Sequence, residues 1–381
     1  MKTALIIILS LCTLTVCTGC NKQDPFENGE NPFLYNGEAS TSGVTGATTL
    51  AVRTDEEDLI GGTSFDRTIS IRFNEGGQAT VSEDANNIVK VNGNRVTADN
   101  TSTSEKVRYE LSGSTSNGCF KLYSKNKQAI ILNDVSITNP VGAAINNQGK
   151  KRCFVVVNGN NSLSDGTSYT ETPATEDEKA AFFSEGQLIF SGSGSLSVSA
   201  RASNHEAIES EGKIEITGGS VCAWSTGNDG LDANGNLYIE GGVVYAIGSG
   251  GAELAVDANS EGGCRLYLNG GVLFAIGGLE NGAVLSQACY QASSWNKNSW
   301  YSLTLGSDTY CFKTPSGGSN GLVVSGASEP AVLSGVTPSG GSSVFNEMGI
   351  LGGSASGGSA VSLSSYSGGA GMGGGRGPGG W

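Results

Sequence analysis

Four segments of this chain align on a turn glycine and two short apolar strands. They are "AAFFSEGQLIFSGSGSLSVSA" (180–200), "EAIESEGKIEITGGSVCAWS" (206–225), "DGLDANGNLYIEGGVVYAIG" (229–248) and "LAVDANSEGGCRLYLNGGVLFAIG" (254–277). The equivalent residues Phe182, Ile208, Leu231 and Val256 are 26, 23 and 25 positions apart. "AAIN" (143–146) upstream and "AVLS" (283–286) downstream fit the same slot. A repeat of this length, built from short strands, cannot bury its apolar face alone, so neighbouring repeats must stack. The pattern predicts an all-β chain folded as a right-handed parallel β-helix. "TISIRF", "RYEL", "FKLY", "AIILNDVSIT" and "RCFVVV" extend the run of strands toward the N-terminus, and only "ATEDEKAAFF" has a helical look.

The period of two along each strand separates inside from outside. Leu188/Phe190, Ile214/Ile216, Leu237/Ile239 and Leu266/Leu268 make one pair of inward columns. Leu196/Val198, Val221/Ala223, Val244/Ala246 and Leu273/Ala275 make another. Gly192, Gly218, Gly241 and Gly270 stand at the corners between the two strands of each coil, where positive φ or close backbone approach calls for glycine.

The ends of the chain read differently. Residues 1–19 carry Lys2, an apolar run too short to span a bilayer, and small residues before Cys20, which together make a secretory signal peptide. Thr18-Gly19-Cys20 resembles a bacterial lipobox, with Cys17 where that pattern usually has Leu; the expectation is a lipidated Cys20 and a place at the outer membrane or cell surface, an ordinary signal peptide being the alternative. Residues 20–64 read as a linker, 65–290 as the β-helix, 291–350 as a C-terminal β segment and 351–381 as a Gly/Ser-rich tail. Without Lys2 the formal charge goes from −14 to −15, which argues against nucleic acid and anionic membrane surfaces but permits divalent cations. The expected state is a monomer that meets the membrane only through its anchor. The cysteines remaining after Cys20 include no CxxC pair, so a zinc site is not expected, and no disulfide pairing is assigned.

"VSITNPVGAAINN", "NSLSDGTSYT", "EDEKAAFFSEGQLIFSGSGSLSV", "IEITGGSV" and "NDGLDA", in that order, resemble a family of bacterial surface β-helix proteins, the carbohydrate-binding-domain-containing proteins. The resemblance covers roughly residues 66–290 and more weakly the C-terminal part. It implies a fold similar to pectate lyases, bound calcium, and acidic or cellulosic plant polysaccharide as ligand without an established lyase reaction. The family often carries "DDG" between coils; here the loops read "NDG", "HEA" and "ELA".

Three outward faces could carry chemistry. One position per coil gives Asn146, Phe183, Glu209, Asp232, Asp257 and Leu285, so three successive coils stack carboxylates. Coils lie about 4.8 Å apart. Like charges at that spacing repel by about 3–4 kcal/mol at an effective dielectric of 20. Glu206, Asn228 and Asp229 lie just before this column. Oxygen-rich acidic loops suit Ca²⁺; a solvated acidic edge with turn-forming Asp and Asn is the other reading. The second face stacks Tyr238 on Tyr267, flanked by Lys213 and Arg265, a candidate groove for an anionic sugar; ordinary cross-coil packing is the alternative. The third, Ser197/Cys222/Tyr245/Phe274 with Ser199/Trp224/Ile247/Ile276, is too apolar to stand open, and strands from "YSLTL", "YCFKT" and "GLVVSG" are expected to cover it. The only histidine, His205, excludes a histidine metal cage. The acidic insertion 167–180 either donates ligands or is solvated. No catalytic residue is assigned. Three functions stand: a calcium-dependent polysaccharide-binding module, a polysaccharide lyase using Lys213 or Arg265 as base, and a structural or adhesive rod.

Overall fold

The computed structural model describes residues 59–250, 253–318 and 321–368. The expected signal peptide, Cys20, most of the linker and the glycine-rich end from residue 369 lie outside the described residues. Among the described residues there is no α-helix; the fold is a β-solenoid of about seven turns with an antiparallel sheet at the C-terminus.

Each central coil has three faces. In one coil the strands are Ala180–Ser184, Leu188–Gly192 and Ser195–Ala200; in the next they are Glu206–Ser210, Ile214–Ile216 and Ser220–Ser225. First-face strands stack in parallel as one sheet. The second and third faces join into a single sheet because the strand Gln128–Thr138 runs across both. Its first half pairs with Cys153–Asn158 and its second with Asn160–Ser164.

The registers follow the repeat. Phe182 pairs with Ile208, Ile208 with Leu231 and Leu231 with Val256 on the first face. Leu188, Ile214, Leu237 and Leu266 follow one another on the second, and Leu196, Val221, Val244 and Leu273 on the third. All twelve have no exposed surface. Fully burying such a side chain contributes about 1.5–3 kcal/mol, and truncating one to alanine costs about 2–5 kcal/mol. This repeated inward ladder fixes the register, because a slip of one residue would turn every aliphatic outward. At the corners, Gly242 has φ +73° and a Cβ there would lie 2.3 Å from the Gly219 carbonyl oxygen, so only glycine fits.

The third face is covered as expected. Tyr245, Ile247, Phe274 and Ile276 are buried against Tyr301, Leu303, Phe312 and Val332 of the C-terminal strands. Trp300–Leu305 and Asp308–Lys313, two of the expected strands, pair with each other as a hairpin, while Leu322–Gly326 pairs antiparallel with both Val272–Ile276 and Ala288–Ala292. That antiparallel strand closes the third face's upper edge, which would otherwise present unpaired backbone groups.

Four details differ from the sequence reading. "AVLS" does not continue the first face: Val284 pairs with Tyr267 on the second. The first-face slot above Val256 is taken by Leu279. "ATEDEKAAFF" is a turn leading into the strand Ala180–Ser184, because its apolar half belongs to the coil. The Ser/Gly segment after 350 is ordered at its start: Ser354–Ala360 pairs with Ala331–Ser339. Before residue 65, Ile60 packs with Phe65 over Ala129, Phe154 and Ile189, so the solenoid's cover begins inside the expected linker.

Candidate metal and carbohydrate sites

The outward slot of the first face runs Thr97, Lys121, Asn146, Phe183, Glu209, Asp232 and Asp257 in unbroken register. The sequence-derived column is therefore correct through Asp257. Its upper neighbour is Glu280 rather than Leu285: the Glu280 N–H donates to the Val256 carbonyl at 2.9 Å. The upper coils thus carry four consecutive acids. The signal was present, since Leu279-Glu280 repeats the apolar–acid pair of Leu231-Asp232 and Val256-Asp257 at a spacing of 23.

Glu206, at the start of its first-face strand, and Asp229, in the turn before the next, join this ladder. Glu206, Asp229 and Asp232 bring carboxylate oxygens within 4.8 Å of one another. The turn that delivers Asp229 is tied by Ser225, whose hydroxyl accepts from the N–H groups of Gly227 and Asn228 at 3.0 and 2.8 Å and donates to the His205 carbonyl at 2.6 Å. Asn228 turns its amide NH₂ to Glu206, and Asp229 accepts from the Leu254 N–H. Through its NH₂ Asn228 thus orients one acid of the cluster, and a cation would take its Oδ1 instead.

The cluster is expensive without a counter-charge. Glu206 and Glu209 are buried, and each has one carboxylate oxygen, Oε2, with no hydrogen-bond partner. Burial, then the charges of Asp232 and Asp229, push the Glu206 carboxyl up. Burial, then Glu206 and Asp232, do the same for Glu209. Asp257 is raised by burial, by its hydrogen bond with Glu280, and by Asp229 and Asp232. Lys179 is the cation beside them: burial works against its charge, but Asp177, Glu209 and Glu211 outweigh that and hold its pKa up. A cation with oxygen ligands at about 2.3–2.6 Å sets opposite ligands about 4.6–5.2 Å apart, which matches the span of the three-acid group. Carboxylates alone, without sulfur or imidazole, select a hard ion such as Ca²⁺.

The lower coils reverse the pattern. There the slot holds Lys121, with Arg95 in the next outward column of the adjacent strand, and the acidic insertion folds over them. Arg95 pairs with Glu171 at 2.7 Å and Lys121 with Glu176 at 2.7 Å. Tyr123 also donates to Glu176, and Glu178 accepts from the Ala143 N–H at 2.7 Å. The insertion's acids thus serve the lower coils, while Lys179 at its end lies beside the acidic ladder and pairs with Glu211 at 3.4 Å. His205 is half-buried, its ring 4.1 Å from that of Tyr169 at the start of the insertion.

On the second face the two tyrosines do stack, with ring centroids 4.7 Å apart and planes within 10°. One face of each ring is thereby used on the other. Lys213 lies 5.8 Å over the Tyr238 ring and pairs with Glu215 at 3.0 Å. Arg265 is exposed at the rim, its backbone N–H held by Asn236 at 2.9 Å. One column further, Glu240 accepts from Asn269 at 2.8 Å. The face combines two aromatic rings with charged and amide groups, the mixture that sugar hydroxyls and ring C–H groups require.

Residues 92–290 match the model of the family described as carbohydrate-binding domain-containing protein. No curated protein matches the sequence. Among solved structures, a polysaccharide lyase-like protein from C. thermocellum, in its gadolinium derivative, is similar at 21% identity and a TM-score of 0.44, over 54% of this chain and 80% of that one. With more than half of its length matched, the chain belongs to the carbohydrate-binding domain-containing protein family.

Proposed function

We propose that this protein is a non-catalytic, calcium-binding surface lipoprotein that holds polysaccharide, with acidic glycans such as polygalacturonate as the ligand class. Family membership supports carbohydrate as the ligand. The observation that carries the calcium part is the convergence of Glu206, Asp229 and Asp232, beside buried Glu206 and Glu209 oxygens that lack partners. Those three residues would hold the ion, with Glu209 and Asp257 next to it on the ladder. A bound Ca²⁺ supplies positive charge that can bridge the protein's acids to uronate carboxylates. This reconciles an acidic chain, formally −14, with an acidic ligand. The face bearing Tyr238, Tyr267, Lys213 and Arg265 supplies a second contact surface. Cys20 would carry the lipid that keeps the domain at the outer membrane or cell surface.

A lyase needs a basic group near the α-proton of a uronate whose carboxylate is held by a cation. Lys213 is a poor base, because its ammonium is paired with Glu215. The binding reading is therefore preferred. Retention of the full chain on a polygalacturonate matrix tests it: retention that EDTA weakens is expected. Retention unchanged by EDTA removes the calcium part, and release of unsaturated uronate products would replace binding with lyase activity.

A further inference from the structure

The lower coils contain a second feature, separate from the acidic ladder. A cleft of about 170 Å³ opens on the first face, lined by residues that include Arg95, Lys121, Asn139, Asn146, Glu171 and Glu178. That is well under the volume of a drug-sized pocket and suits one sugar ring. Its floor offers an unused donor. Asn146 is 1% exposed, its Oδ1 accepts from Gln148 at 2.8 Å, and its Nδ2 has no hydrogen-bond partner. Buried polar groups are normally paired, so an orphaned amide NH₂ facing a cleft points to something that enters it.

The insertion supplies carboxylates to the same place, with unequal grip. Glu176 is fixed, since it takes both Lys121 and Tyr123 and is largely buried. Glu171 meets Arg95 at the rim, with 55% of its side chain exposed, and such a pair contributes little. Both ends of the insertion are anchored. Tyr169 packs its ring at a tilt against His205 and donates to Asp165 at 3.2 Å, and Glu178 accepts from Ala143 and Thr172 at 2.7 Å each. Glu171, between these anchors, is free to leave. Arg95 stays aimed, because its Nη2 lies 3.4 Å from the side-chain oxygens of Asn117 and Asn139.

We propose that this cleft is a calcium-independent subsite for the carboxylate of an acidic sugar, held by Arg95 and Asn146, with Glu171 as a built-in competitor. The proposal rests on the sugar-binding reading above but uses none of the ladder residues. A guanidinium fork matches a carboxylate in geometry as well as charge. A ligand carboxylate that replaces Glu171 leaves the charge balance of the cleft unchanged, even with Glu178 nearby. A neutral sugar gains no such exchange.

The test is titration of the full chain with galacturonate, and with galactose as the neutral control, in EDTA. Galacturonate is expected to bind and galactose to bind more weakly. Glu171→Gln should tighten galacturonate binding by up to about fivefold, since it removes the competing pair. Arg95→Ala should abolish binding, and Arg95→Lys should lose most of it for want of the fork. Thermal melting of each variant identifies any that fail to fold, and Glu171→Gln, an exposed change, keeps the test decisive. Unchanged or weaker binding in Glu171→Gln, undiminished binding in Arg95→Ala, or no binding at all in EDTA overturns the subsite. Calcium-dependent retention on polygalacturonate could still hold in each case, so the two readings fail separately.

Discussion

The first face of the solenoid changes sign halfway along its length. In the lower coils its outward groups include Arg95 and Lys121, and the chain brings Glu171 and Glu176 to meet them. In the upper coils the same slot holds Glu209, Asp232, Asp257 and Glu280, joined by Glu206 and Asp229. Lys179 lies beside these acids and favours the charged forms of Glu206 and Glu209, but burial and the neighbouring carboxylates outweigh it. The lower half carries its own counter-charges; in the upper half the proposed calcium would supply one. The inward aliphatics repeat through both halves, which leaves the outward slot free to vary in charge from coil to coil.

Removing an acid should have opposite consequences in the two halves. The largest effect is expected with calcium present. Asp232→Asn should lose most of the stabilisation that Ca²⁺ confers, about 4 kcal/mol at a thousandfold excess over the dissociation constant, read from urea unfolding with and without the ion. In EDTA the sign should split. Glu209→Gln should stabilise the protein by about 1–3 kcal/mol, because at neutral pH a buried Glu209 must either keep its charge beside other acids or take up a proton, and Gln does neither. Glu176→Gln should destabilise it by about 1–3 kcal/mol, because it strips Lys121 and Tyr123 of their shared partner. The same sign for both variants would erase the distinction between the halves.

The pH dependence sharpens the contrast. Glu206, Glu209 and Asp257 have folded pKa values raised above the ordinary 4.5 and 3.8. Between those ordinary values and the raised ones, the folded chain holds more protons than the unfolded chain, so stability must fall as pH rises through that window. Calcium-free protein should therefore be more stable near the ordinary carboxylate range than at neutral pH, and Ca²⁺ should restore stability at neutral pH with little effect in acid. The smallest effect belongs to Glu171→Gln: exposed at the rim, it should change stability by less than about 1 kcal/mol.

Much of this architecture is legible in the sequence because each coil repeats the same inward pair of aliphatics. The ladder from Phe182 to Val256 and the cover over Tyr245 and Phe274 follow from that repeat. The repeat loses clarity where coils change length. "AVLS" imitates the slot, while Leu279-Glu280 fills it directly after a double glycine, so the fourth acid escapes a reading keyed to the longer spacing. The partners of the insertion were also illegible: Arg95 and Glu171 are 76 positions apart, and only the fold of the insertion brings them together. The stacking of Tyr238 on Tyr267 was legible from register, but that one face of each ring is used on the other follows from the three-dimensional packing.

Cation binding by the upper acids is read most directly from thermal melting of the full chain at neutral pH, in EDTA and then in saturating Ca²⁺. A ligand that binds only the folded state must raise the melting temperature, here by several degrees, and Glu209→Gln and Asp232→Asn should shrink the rise. A wild-type melting temperature that does not move when calcium is added would contradict the account.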